Sequence, residues 1–78
     1  MTVDTIEAIH AGYIEMCEKE LVDSVWFRLN NSCDLAVGRF ELYYATTGHI
    51  LVSFYDRAGW YIGSCLDNDI DDIHVRLK

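Results

Sequence analysis

Three thiols and three imidazoles are the side chains of this chain best suited to covalent or metal chemistry: Cys17, Cys33 and Cys65, with His10, His49 and His74. A cysteine beside a histidine can supply a thiolate nucleophile, and such partners need meet only in the fold. Zinc asks for more, a close ligand pair such as C-x-x-C or H-x-x-x-H, and no such pair occurs. His10 and Cys17 are seven residues apart and share one face of a helix, while His49 and His74 fall in strand-like sequence. The run Asp67-Asn68-Asp69-Ile70-Asp71-Asp72 begins like a calcium loop. Its sixth position is Asp72 where the turn needs glycine, and its twelfth is Lys78 where a bidentate glutamate belongs, so a solvated acidic turn is the expectation. Gly-x-Ser-x-Gly, P-loop and dinucleotide-binding patterns are absent. A chain of 78 residues also leaves little wall for a pocket that buries a substrate. The expectation is therefore no enzyme, no catalytic residue, no cofactor and no metal. The cysteines then read as reduced thiols packing as small hydrophobes.

Charge narrows the partner. Of the net −7, residues 1–23 carry Asp4, Glu7, Glu15, Glu18, Glu20 and Asp23 against Lys19 alone. Residues 24–66 are balanced, with Asp34, Glu41 and Asp56 against Arg28, Arg39 and Arg57, and the last twelve residues hold Asp67, Asp69, Asp71 and Asp72 against Arg76 and Lys78. Affinity for a phosphate backbone comes from clustered Lys and Arg, which this chain lacks. A basic protein surface fits it better. The opening MTVDTIEAIH has neither the basic start nor the apolar core of a secretion signal, and the uncharged run from Ala45 to Tyr55 is too short to cross a bilayer. A cytoplasmic protein without a membrane partner is expected, in which the sequon Asn30-Asn31-Ser32 has no role.

Three kinds of element have to position these groups, all within one domain spanning residues 1–78. Ile6, Ile9, Tyr13, Met16, Cys17 and Leu21 recur at spacings of three and four and predict an amphipathic helix from Asp4 to about Leu21. Asp4 and Glu7 suit a capping box. Ala8, Ala11 and Gly12 form a strip where another backbone could approach. Strands are expected over Val25–Leu29, Leu35–Tyr44 with a bulge at Gly38, Ile50–Tyr55, Trp60–Leu66 and Ile73–Leu77, with turns at residues 30–34, Thr46-Thr47-Gly48 and Asp56-Arg57-Ala58-Gly59. The stretch from Asp56 to Gly63 resembles a hairpin of PRC-barrel-like domains. Any tight hairpin entering an apolar strand shares that look, and no family is assigned on it. The fold class expected is α+β, one N-terminal helix packed on an antiparallel sheet of four to five strands in the order α-β-β-β-β-β.

One helix covers one side of a sheet, so alternation leaves the other face open, carrying Trp26, Arg28, Arg39, Tyr43, Leu51, Tyr55, Tyr61, His74 and Arg76. Trp, Tyr and Arg are enriched at binding hot spots. Two partner surfaces are therefore expected. The sheet face would use Trp26, Arg28, Arg39, Tyr43, Tyr55, Tyr61 and Arg76. The acidic set Glu15, Glu18, Glu20, Asp23, Asp67, Asp69, Asp71 and Asp72 would occupy a basic groove that normally holds nucleic acid. The function expected is a small acidic protein-binding module, an inhibitor or antagonist of a macromolecular, nucleic-acid-handling target, of the phage anti-defence, antitoxin or immunity-protein type. The alternatives are nucleic-acid or nucleotide binding through the aromatic face, and self-association as a homodimer or assembly component.

Overall fold

A computed structural model describes residues 1–30 and 34–78. Most of the turn expected at 30–34, with the sequon and Cys33, lies outside the described residues. Helix α1 runs Val3–Glu18 and buries Ile6 and Tyr13, with Ile9 and Met16 half-buried beside them, as the apolar stripe predicts. Its ends differ from expectation. Thr2 is the N-cap, its Oγ1 accepting the Thr5 N–H at 3.2 Å, and no Asp4–Glu7 box forms. Glu7 instead accepts the Tyr44 hydroxyl at 2.7 Å. The helix stops at Glu18, short of Leu21, because Glu20 takes a left-handed φ of 58°. There the Glu20 N–H reaches the Cys17 carbonyl and the Leu21 N–H the Met16 carbonyl, both at 3.0 Å, which is a Schellman ending.

The strands are β1 (Val22–Leu29), β2 (Leu35–Val37), β3 (Arg39–Tyr44), β4 (Ile50–Tyr55), β5 (Tyr61–Leu66) and β6 (Ile70–Leu77), with a short 3-10 turn at Asp67–Asp69. Instead of one sheet of four to five strands, the six form two antiparallel sheets of three. The first has the order β2-β1-β6 and the second β3-β4-β5. The helix-first order and the α+β class hold. The acidic stretch is not a solvated loop throughout, since Ile70 already starts β6 and is fully buried.

Gly38 makes the difference. The sequence from Leu35 to Tyr44 reads as one bulged strand, but at Gly38 it leaves the first sheet for the second. The Gly38 N–H donates to the Tyr55 carbonyl at 2.8 Å. A Cβ there would lie 2.6 Å from the backbone of Asp56 and Arg57. Leu35 and Val37 point inward in the first sheet, and Phe40 and Leu42 in the second, so the parity change marks a change of sheet. Two hairpins then build β3-β4-β5. Ala45 to His49 and Asp56 to Trp60 close alike, with the fourth-residue glycine N–H donating to the first carbonyl and the first N–H to the fifth carbonyl. Gly48 (φ 88°) and Gly59 (φ 91°) hold the left-handed positions these turns require.

The core fills the space between the sheets: Val25, Phe27, Val37, Ile70 and Ile73 from one side, Phe40, Ile50, Val52 and Phe54 from the other, with Ile6 and Tyr13 of α1. Phe27 meets Phe40 at 5.1 Å and Phe54 at 4.7 Å, both near edge-to-face.

Gly38→Ala is expected to destabilise the fold by about 1–3 kcal/mol, since the added methyl meets rigid backbone; urea unfolding measures this, and an unchanged midpoint would contradict it.

Candidate functional site

The outer face of β3-β4-β5 is built in rows by its register. Arg39 opposes Tyr55, which opposes Tyr61; Glu41 opposes Ser53, which opposes Ser64; Tyr43 opposes Leu51, which opposes Leu66. The side chains tie these rows together. The Arg39 guanidinium lies over the Tyr55 ring, 4.4 Å from its centre, and Tyr55 and Tyr61 meet at 5.9 Å. Tyr43 donates its hydroxyl to Glu41 at 2.6 Å, Arg39 approaches the same carboxylate at 3.5 Å, and Tyr61 donates to Ser64 at 3.0 Å. The Tyr43 hydroxyl holds Glu41 below the usual carboxylate range, against an upward push from desolvation, and Arg39 adds a smaller downward pull. The Glu41 carboxylate in turn pushes the Tyr43 phenol up. Ser53, at the centre, is only 5% exposed although it faces outward.

Trp60 (74% exposed), Tyr61 (59%) and Ile62 continue this surface along β5. Sequence reasoning missed Trp60 and Ile62. The available signal was position: Trp60 directly follows the turn glycine, where no ladder neighbour can cover it, and Ile62 is passed over in the register between Tyr55↔Tyr61 and Phe54↔Gly63.

A groove adjoins this face across β3. A cavity of about 450 Å³ is lined by His10, Tyr13, Ile14 and Cys17 of α1 and by Arg39 to Tyr43 of β3. Among the described residues β3 pairs only with β4, so its other edge faces this groove. The rings of His10 and Tyr13 pack on Phe40 at 5.0 and 4.7 Å. Burial pushes the Tyr13 phenol up, and Cys17 adds to this, while Arg39 and the Phe40 backbone amide draw it back. His10 Nε2 is buried with no hydrogen-bond partner.

The expected sheet face divides. Arg39, Tyr43, Tyr55 and Tyr61 come together on the second sheet, while Trp26, Arg28 and Arg76 lie on the first, where Trp26 opposes His74 and Arg28 opposes Asp72. The single sheet surface is thereby corrected to two. The acidic set divides as well. Asp23 and Asp72 flank opposite ends of β1, about 16 Å apart at 3.3 Å per residue. Asp23 is drawn between Arg57 (3.7 Å) and Arg76 (4.0 Å), and Glu15 pairs with Lys19 at 3.4 Å. Glu18, Glu20, Asp69 and Asp71 remain exposed. Asp67 is withdrawn from any partner surface. It is 5% exposed, its carboxylate accepts the Ile50 N–H at 3.1 Å, and it lies 3.1 Å from His49 Nδ1. Burial pushes this carboxyl up, but His49 and the Ile50 amide outweigh it and hold the group below its ordinary value.

Among the described residues no group of three or more His, Cys, Asp or Glu is placed to hold a metal ion, and no helix is long and apolar enough to cross a membrane. Cys17 and Cys65 are free thiols. Burial, with Asp69 and Asp67 adding to it, pushes the Cys65 thiol up to about 11. No protein-family model, curated protein or solved structure matches the chain.

Cys65 should therefore alkylate at neutral pH about a hundredfold more slowly than an unperturbed cysteine; peptide mapping after timed iodoacetamide treatment reads this, and a fast Cys65 would reopen thiol chemistry. Asp67 stabilises the fold in its charged form, so its contribution is complete above the unfolded carboxylate value of about 3.9 and is lost as pH falls through the lower folded value. The Tm gap between the wild type and Asp67→Asn should be widest at neutral pH and narrow below about pH 4; a gap independent of pH would contradict this.

Proposed function

We propose that this chain is a protein-binding module, an antagonist of a macromolecular target, which docks through the outer face of β3-β4-β5. One observation carries this reading: most exposed large apolar side chains among the described residues gather there, Tyr43, Leu51, Trp60, Tyr61, Ile62 and Leu66. Scattered apolar residues need no explanation, but a contiguous patch containing Trp and Tyr has the composition of a hot spot. The hydrogen bonds that tie Tyr43 to Glu41 and Tyr55, and Tyr61 to Ser64, favour it further, because side chains already ordered lose less entropy on docking. The acidic residues are dispersed over both ends of the first sheet, so they serve the rim and the steering of association rather than a phosphate-like array. Stacking of nucleic-acid bases on the same tyrosines is the second reading. Glu41 in the middle row of the face and the net charge of −7 weigh against it.

A tagged pull-down from bacterial lysate, with and without nuclease, tests the proposal when run beside a Trp60→Ala/Tyr61→Ala variant. The expected result is one dominant protein that survives nuclease and is reduced about tenfold or more by the variant, in line with a hot-spot loss of about 2 kcal/mol. Capture that vanishes with nuclease would favour the nucleic-acid reading, and recovery of the bait alone would overturn both.

A further inference from the structure

The free edge of β3 is equipped for more than shape matching. The Ala45 N–H bonds to the His49 carbonyl, and Tyr43↔Leu51, Glu41↔Ser53 and Arg39↔Tyr55 continue that register in steps of two. In an antiparallel ladder, opposed pairs alternate between bonded and unbonded. Residues 39, 41, 43 and 45 therefore direct their backbone groups at β4, and those of Phe40, Leu42 and Tyr44 point away from it. No strand occupies the Leu42 amide and carbonyl among the described residues. An unpaired edge of this kind is a template for another strand.

We propose that the groove between α1 and β3 receives an extended segment of the partner protein, which adds to the β3 edge as a further strand, apolar in its middle and basic at both ends. This rests on the protein-binding reading and names what is bound. Strand addition draws affinity from main-chain hydrogen bonds and specificity from pockets for alternate side chains. The pocket is the cavity walled by Tyr13, Ile14 and Leu42. His10 Nε2, buried and unpaired, supplies a polar anchor within it. Charge sets the ends. On α1, Glu7 stands three residues before His10 and Glu18 four after Ile14, with Glu7 also accepting the Tyr44 hydroxyl, and Glu41 stands on the strand wall with Arg39 already engaged by it. Glu7 and Glu18 are about 16 Å apart along the helix at 1.5 Å per residue, which an extended chain spans in about five residues. The same acids argue against a second copy of this chain, whose edge would bring Glu7, Glu18 and Glu41 against themselves.

The probe is an acetylated seven-residue peptide with lysine at each end and valine and threonine alternating between, titrated at low salt into the isotope-labelled chain. It is expected to bind, to protect the Leu42 amide from hydrogen exchange, and to bind at least tenfold more weakly with glutamate ends or a central proline. Ile14→Trp, which fills the groove from an exposed position, should weaken it at least tenfold, while Tyr61→Ala on the outer face leaves it unchanged. No binding, indifference to the end charges, or shifts confined to the Tyr61 face would overturn the proposal. So would Leu42 protection in the free chain accompanied by a dimer mass in light scattering. Failure here alongside a nuclease-resistant capture that needs Trp60 and Tyr61 would leave the protein-binding reading standing on the outer face alone; a peptide that binds while the pull-down recovers only bait would remove the outer face and keep the groove.

Discussion

Phe27 projects from the first sheet between Phe40 and Phe54 of the second, and nearly everything else in the molecule depends on that insertion. The two sheets share no ladder, so what binds them is chiefly apolar burial, with the chain crossing at Gly38 and again at Asp67–Asp69 and with Arg57 reaching Asp23 of β1. A domain of this size has one core and little reserve. Its interior is correspondingly compact, with four aromatic rings, Tyr13, Phe27, Phe40 and Phe54, among seven buried aliphatic side chains. Asp67 complements them at the far end of β4, where a buried carboxylate ties Ile50 to the turn that starts β6.

That arrangement leaves the second sheet with an unusual division of labour. Its inner face, with Phe40, Val52 and Phe54, is consumed by the core, and α1 flanks β3 without pairing with it. The outer face keeps Tyr43 bonded to Tyr55 and the Tyr55 ring packed on Tyr61, and the β3 edge keeps its backbone groups. Both features therefore follow from the same bend at Gly38, which turns β3 away from the first sheet and exposes one edge in doing so. The groove and the aromatic face are two sides of a single strand.

Much of this organisation is legible in the residues themselves. The helix shows in the spacing of Ile6, Ile9, Tyr13 and Met16, and both hairpins in turns that end in Gly48 and Gly59, because period and turn chemistry are local properties. The alternation of β3 correctly brings Arg39 and Tyr43 to one face. What local reasoning cannot supply is which sheet a strand joins. Gly38 is visible as a break in parity, but a bulge and a sheet-to-sheet corner look alike until the approach of Asp56 and Arg57 is known. For the same reason alternation alone puts Trp26 and Tyr61 on one surface and leaves Asp67 among exposed acids, since its pairing with Ile50 and His49 depends on residues seventeen and eighteen positions away. The Thr2 cap is illegible for a different reason: Thr2 and Asp4 are both competent caps, and only the start of the helix at Val3 decides between them.

The two sheets also differ in what it costs the chain to make them. β3, β4 and β5 follow one another through five-residue turns, so the second sheet closes only short loops. The first sheet pairs Val25 with Val75, and its β1–β6 ladder must close a loop that contains the whole of the other sheet. Loop-closure entropy rises slowly with length, and a loop already condensed into a folded meander has far fewer states to lose than a free one. The β1–β6 pairing that seals the core therefore costs less entropy once the aromatic sheet has formed, and that sheet is also the scaffold across which the two ends of the chain are brought together.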